Sequence, residues 1–216
     1  MPQWDELFKD GQFCWKEPAK AVVAFAQDLK QRGARRVLDL GFGAGRHVVH
    51  LAREGFAVCG TDISATGLEL TQAWLQQEGL HADLQLSDMT VIPYPDARFD
   101  AIISTNVVHH NTLDNIRRCV SEMYRVLVPG GQALLTLQSK RSYRYGQGQQ
   151  LEQDTFIPVS GPDAGIPHHF FDEVGLRDLF ADWIIASMAL DEWDEVEGEA
   201  HYLRSHWVVS VERPLT

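Results

Sequence analysis

The sequence predicts an α/β fold, a doubly wound and mostly parallel sheet with helices on both faces. Three observations carry this. Short apolar runs alternate with helix-period segments from about residue 36 to residue 138. The first run, "RVLDL", ends in the turn "GFGAG", which opens into a further apolar-periodic segment. The 216 residues, 44% of them apolar, suit one domain with a sizeable core.

Residues 18–32 space their apolar side chains for a helix that stops at Gly33. Residues 36–41 read as a buried strand, 45–55 as a helix closed by Gly55, and 56–62 as a second strand. A helix over 64–79 has Ser64 as its N-cap and Gly79 as its stop. Residues 82–88 form a third strand, and Pro93 and Pro95 mark a loop. A fourth strand (99–106), a helix (112–127) stopped by "VPGG" and a fifth strand (132–138) complete the alternation. Right-handed crossovers then fix most of the topology. Residues 139–167 are polar and rich in Gly and Pro, so they are expected as a long functional loop. A helix over 170–183 and strands over 183–190 and 206–213 follow, with the acidic stretch 191–201 as a solvated turn.

Composition narrows the function. There are 30 acidic against 19 basic residues, a formal net charge of -11. Such a chain is a poor non-specific partner for phosphate backbones or anionic lipid. Cys14, Cys59 and Cys119 are scattered and odd in number, which predicts reduced thiols and a cytoplasmic protein. No run of about 18 apolar residues exists, so no membrane span is expected, and the N-terminus is unlike a signal peptide. The expected plan is one domain over 1–216, with residues 1–17 as an N-terminal capping segment and 139–170 as an insertion over the substrate pocket. The expected assembly is a monomer or homodimer.

Gly41, Gly43 and Gly45 sit at a strand-to-helix turn. Glycines there permit positive φ and let a ligand touch the backbone, while the helix N-terminus offers free N–H groups. Asp62 ends the second strand, 17 residues after Gly45, where an acid can accept from both ribose hydroxyls. Asp88 ends the third strand and could accept from an exocyclic amine, with Met89 on the adenine face. Singly, either acid is as well explained as a turn cap; together they describe a groove for an adenosine. A dinucleotide site would want a small residue where Arg46 stands, and Asp39 would repel a pyrophosphate. Asp39 suits a cationic ligand, so the implied cofactor is an adenosine with a positively charged, amino-acid-like tail.

The ordered stretches "VLDLGFGAG", "GTDIS", "LSDM", "FDAIISTNVVHH" and "RVLVPGGQALLTL" resemble the motif series of the class I S-adenosylmethionine-dependent methyltransferases. The resemblance covers roughly residues 35 to 138 and the closing elements. It implies a Rossmann-like, seven-stranded sheet whose last strand is antiparallel, and S-adenosyl-L-methionine as cofactor. It implies Asp39, Gly41, Gly43 and Gly45 along the methionine part, with Phe42 and Arg46 in the same turn. Asp62 and Ile63 would hold the ribose, Asp88 and Met89 the adenine, and Asn106 would lie beside the transferred methyl. Phe42 departs from the family, which often has a small or polar residue there.

Methyl transfer needs alignment more than acid–base chemistry, so the acceptor must be inferred from what surrounds the methyl group. Four clusters qualify: His109 and His110; His168 and His169; "SKRSYRYGQG" with Arg141 and Tyr143, in the basic patch Lys140, Arg141 and Arg144; and the aromatic N-terminus with Trp15. The pair His168 and His169 has no chelating helical spacing and no carboxylate or cysteine pattern to support it, and no metal site is expected. The N-terminal segment is expected to close over the cofactor and exclude water. The small plan resembles tellurite-resistance-type and thiol-type methyltransferases, which points to a small thiol, sulfide or related chalcogen. Rival readings are a tRNA wobble-uridine-type enzyme, another small-molecule O- or N-methyltransferase, an S-adenosylmethionine-binding sensor, and a nucleotide-dependent oxidoreductase.

Overall fold

The alternating pattern becomes alternating strands and helices. The computed structural model describes residues 2–197 and 200–215. In chain order these are α1 (Pro2–Lys9), α2 (Lys20–Gln31), β1 (Arg36–Leu40), α3 (Arg46–Arg53), β2 (Ala57–Asp62), α4 (Ala65–Glu78), β3 (Asp83–Leu86), β4 (Phe99–Thr105), α5 (Leu113–Val126), β5 (Leu127–Gln138), β6 (Gln149–Glu152), β7 (Thr155–Ile157), β8 (His168–His169), α6 (Glu173–Leu179), β9 (Ile184–Glu197) and β10 (Ala200–Glu212). The main sheet runs β3-β2-β1-β4-β5-β10-β9. β1 to β5 pair in parallel, whereas β10 is antiparallel to both β5 and β9. This is the seven-stranded sheet with an antiparallel last strand that the motif series implies. Strand order reverses between β1 and β4, and open α/β sheets bind ligands in the crevice beyond the strand ends at such a point.

Both faces of the sheet are covered, which is why its central strands are apolar throughout. Val37 joins Val22, Phe25 and Leu29 of α2 in one core cluster, while Leu38 and Leu40 join Ile116, Val120 and Met123 of α5 in another. Ser64 caps α4 by accepting from the Gly67 N–H at 3.0 Å, and Gly79 ends it at φ +67°. α1 docks on the same helix end: the Asp5 carboxylate accepts from Ser64 Oγ at 2.6 Å and Thr66 N at 2.9 Å. No helix of the described residues is long and apolar enough to cross a membrane.

Three expectations give way. The stretch 139–167 is not one structureless loop, because β6, β7 and β8 form a small antiparallel sheet. The helix expected from residue 170 starts only at Glu173. Phe170 and Phe171 are buried and extended, and the Phe171 N–H donates to the Gln138 carbonyl at 2.8 Å. Burying two aromatic rings against the sheet outweighs local helical periodicity there. The acidic stretch 191–201 is not a turn: β9 and β10 run through it as a long hairpin, with residues 198–199 outside the described set. Its charges are tied across strands, Glu195 to Arg204 and Glu192 to Ser205.

Candidate active site

The glycine turn lies at the tip of β1. Gly41, Gly43 and Gly45 have φ of +79°, +54° and +89°, a region that strains any side chain. The sequence suggested that a ligand excludes side chains here. The fold shows that the protein's own side chains do so as well. A Cβ at Gly41 would overlap the Val107 side chain, one at Gly43 would lie 3.2 Å from Phe8 Cζ, and one at Gly45 would lie 2.7 Å from Thr71. The turn is wedged between α1, α4 and the segment after β4. Phe42, expected beside the cofactor, is 3% exposed and points into the core.

Asp39 is 1% exposed, and neither carboxylate oxygen has a hydrogen-bond partner. Burial raises its pKa to about 8, aided by the nearby Asp62 carboxylate and opposed by Arg46 and, weakly, by the Val48 N–H, which approaches it without completing a hydrogen bond. A buried carboxylate without donors is costly. The ammonium of an amino-acid-like ligand would satisfy it, so the residues present fit the expected cofactor. Arg46 lies under the half-exposed Trp15 ring, 4.9 Å from its centroid. Asp62 accepts from the Gly43 N–H at 2.7 Å and from the Ser64 N–H at 2.8 Å. It therefore braces the turn, and each oxygen keeps a lone pair for a hydroxyl. Ile63 beside it is half-buried. Asp88 Oδ1 accepts from both the N–H and the hydroxyl of Thr90, at 2.9 and 2.6 Å, the cap arrangement. Met89 is half-buried against the core.

Asn106 ends β4 in a left-handed conformation, φ +58°. Its N–H donates to Thr136 Oγ1 at 2.8 Å, and that hydroxyl donates back to Asn106 Oδ1 at 3.0 Å. The bend turns the chain into Val107–His110, beneath α1. There the Trp4 ring meets the His110 ring edge-on at 5.2 Å. The Gln3 side chain donates to the Ala164 carbonyl, which joins α1 to the 139–170 insertion over the same place.

That insertion delivers His168. Its ring lies 4.5 Å from His110 and 6.0 Å from His109, whose own ring is 4.2 Å from His110. The His169 N–H donates to the His109 carbonyl at 2.8 Å and ties the two HH pairs together. Burial, with His110 beside His109 and His168 beside His110, pushes the pKa of both His109 and His110 well below the ordinary range, so these rings are neutral. Asp163 Oδ2 lies 3.1 Å from His168 Nε2 and is gripped by Arg144. Although burial alone would raise it, those two contacts hold the Asp163 carboxyl below the usual range.

Four other site expectations fail or change. His169 faces away from His168, because successive residues of a strand point to opposite sides; its Nδ1 meets Thr155 Oγ1 at 2.7 Å and its ring packs on Phe171. Arg141 is 61% exposed and holds Glu192 of β9 with two N–H groups. Tyr143 packs on Tyr202 at 4.7 Å and under Arg204, on the hairpin rather than in the histidine cluster. The basic patch is neutralised, since Lys140 pairs with Asp154 and Asp172 and Arg144 with Asp163. Sequence reasoning did not single out Asp163 or Val107 at the site, and it named Phe8 and Arg144 only within the aromatic N-terminus and the basic patch. Val107 stands inside the fourth-strand motif; for Asp163 the one signal was the length of the insertion.

The comparisons concern the family model and the fold. Residues 37–131 match the family model described as "Methyltransferase domain". Methyltransferase GfsG of Streptomyces halstedii is 33% identical over 131 residues, 54% of this chain and 46% of that protein. Probable tRNA methyltransferase 9B of Bos taurus is 31% identical over 115 residues, 53% of this chain and 23% of that protein. The chain thus spans less than half the length of both. A solved S-adenosylmethionine-dependent methyltransferase from Methanosarcina mazei superposes with a TM-score of 0.72 at 21% identity, over 84% of this chain and 93% of that one.

Proposed function

We propose that this chain, a member of the class I S-adenosylmethionine-dependent methyltransferases, moves a methyl group to a small nucleophile, the sulfur of a small thiol, sulfide or related chalcogen compound. The observation that carries the cofactor reading is Asp39, a buried carboxylate without a donor at the mouth of the glycine turn. Bound S-adenosylmethionine supplies an activated methyl on a sulfonium leaving group. Asp39 would take its amino group, the Gly41–Gly45 backbone its tail, Asp62 with Ile63 the ribose, and Asp88 with Met89 the adenine.

The acceptor would lie among Asn106, His109, His110 and His168. Asn106 is fixed through Thr136 and can align the nucleophile without moving. The His109 and His110 imidazoles, kept neutral by burial, make a polar but uncharged wall, which suits an acceptor that is itself anionic. A thiol reaches its thiolate near neutral pH and needs no dedicated strong base. α1 and the insertion roof this space through Trp4–His110 and Gln3–Ala164, which favours a small acceptor that can be enclosed. The charge of -11 weighs the same way against RNA.

Calorimetric titration with S-adenosylmethionine and S-adenosylhomocysteine tests the cofactor. A methyl-transfer screen over small thiols, sulfide, amines, phenols and bulk tRNA then tests the acceptor. Binding with turnover on a thiol or sulfide is expected. Turnover only on tRNA, with steep salt dependence, would overturn the acceptor reading, and no cofactor binding would overturn both.

A further inference from the structure

We propose that His109, His110 and His168 form a site for one divalent transition-metal ion of the zinc type, open at a fourth coordination position. The site stands on its own geometry; only the role given to the ion rests on the methyltransferase reading above. One ligating nitrogen from each ring lies within 4.8 Å of the others. Three nitrogens on a tetrahedral zinc ion would lie about 3.4 Å apart, so small side-chain rotations close the set.

The second observation is the absence of partners. Nδ1 of His109, His110 and His168 is buried in every case and makes no hydrogen bond among the described residues. Buried polar atoms are ordinarily satisfied, and three orphans in rings whose ligating nitrogens come within 4.8 Å of one another invite a common explanation. A water molecule has two protons to donate, whereas one divalent cation accepts all three lone pairs.

The third observation is the support behind His168. Asp163 Oδ2 stands 3.1 Å from its Nε2, out of line for a full hydrogen bond, and Arg144 holds Asp163 in place. Metal-binding histidines typically give their other nitrogen to such a carboxylate, which sets the tautomer and frees the lone pair of the ligating atom. Here Nε2 would carry the proton and Nδ1 the metal. Asp163 is a positioning residue in this arrangement. Three imidazole ligands favour zinc, cobalt, nickel, copper or iron over magnesium or calcium.

Three protein ligands leave the ion its full positive charge and an open position, the pattern of catalytic rather than structural zinc. A thiol binding there would release its proton to solvent and sit as a metal-held thiolate. Its sulfur lone pair would form the new C–S bond as the methyl–sulfonium bond breaks. The products are a neutral thioether and S-adenosylhomocysteine.

The test is titration of the chelator-stripped full chain with Co²⁺, followed by visible d–d absorption, with Zn²⁺ as competitor. One ion per chain is expected, displaced by Zn²⁺. His110→Ala and His168→Ala should abolish the absorption, whereas His81→Ala, an exposed residue outside the site, should keep it. Asp163→Asn should weaken binding about 10–100-fold. Should His168→Ala fail to fold, the wild-type titration and His110→Ala decide the matter. No Co²⁺ absorption in the wild type, or absorption retained in His110→Ala and His168→Ala alike, overturns the site. S-adenosylhomocysteine binding by the same stripped protein separates the two readings: cofactor binding without metal binding overturns the ion alone. Thiol methylation at full rate in the stripped protein overturns the role assigned to it.

Discussion

Replacing Asp39 by Asn should stabilise the cofactor-free protein and cripple cofactor binding at once. The folded carboxyl has a pKa of about 8, against 3.8 for the ordinary group. Between those values the folded state binds a proton that the unfolded chain does not, so stability falls as pH rises. The contribution is fully present below pH 3.8 and is lost through about pH 8. Near neutral pH the burden is about 1.4 kcal/mol for each of roughly three pH units, on the order of 4 kcal/mol as an upper bound. An Asn carries no such burden, although its buried amide brings unsatisfied groups costing about 1–3 kcal/mol. The net gain expected is about 1–3 kcal/mol, or roughly 2–10 °C in Tm for a chain of this size. Asp62 is coupled to Asp39 by charge, so the difference in Tm between wild type and variant reads residue 39 together with its effect on Asp62. That difference should grow from pH 5 to pH 9. Loss of the charged acceptor should weaken S-adenosylhomocysteine binding by about 1–3 kcal/mol, some 5- to 150-fold. Wild-type affinity should itself rise with pH toward 8 as the carboxylate forms. Thermal melts across pH and calorimetry read both effects. A Tm difference that stays flat with pH, or an unaltered affinity, would refute the reasoning.

Further outcomes follow from the same geometry. Gly41→Ala collides with Val107 at φ +79° and should cost about 1–3 kcal/mol, whereas Gly79→Ala, at φ +67° in open space, should cost about 1 kcal/mol; paired denaturant melts compare them. Asp62→Ala leaves the Gly43 and Ser64 N–H groups unsatisfied, so it should lower stability by about 2–4 kcal/mol and weaken cofactor binding in parallel. If affinity holds while stability falls, Asp62 is a brace and not a ribose ligand. Arg141→Ala should leave kcat and KM within error, because its partner is Glu192 of the hairpin; a marked rise in KM would restore it as an anion contact. His169→Ala should lower Tm through its lost Thr155 and Phe171 contacts while the folded enzyme keeps its kcat.

Much of this was legible in the chain because the signals are local. Apolar periodicity placed β1 to β5 and their helices, and Ser64 and Gly79 marked α4 within a residue. The glycine turn, Asp39 and Asp62 were found because strand-end positions follow from the strand itself. The two HH pairs looked alike as dipeptides. Only the placement of β8 separated them, by turning His168 inward and His169 outward. Arg141 and Arg144 were likewise indistinguishable three residues apart, until Glu192 took one and Asp163 the other.

By itself, then, the sequence determined the order and type of the central elements, the glycine turn with its strand-end acids, and the resemblance to a methyltransferase family. These depend on side-chain periodicity, backbone freedom and charge at positions close along the chain. Tertiary structure alone decided that Phe8 and Val107 pack the turn, that the acidic stretch pairs as a hairpin, and that three histidines converge with Asp163 behind one of them. Those facts rest on contacts such as Glu192 with Ser205, 13 residues apart, and Gln3 with Ala164, 161 apart, and on burial that only long-range packing creates. A lone pair loses its water only when the α1 segment and the insertion close over it, and no local pattern records that.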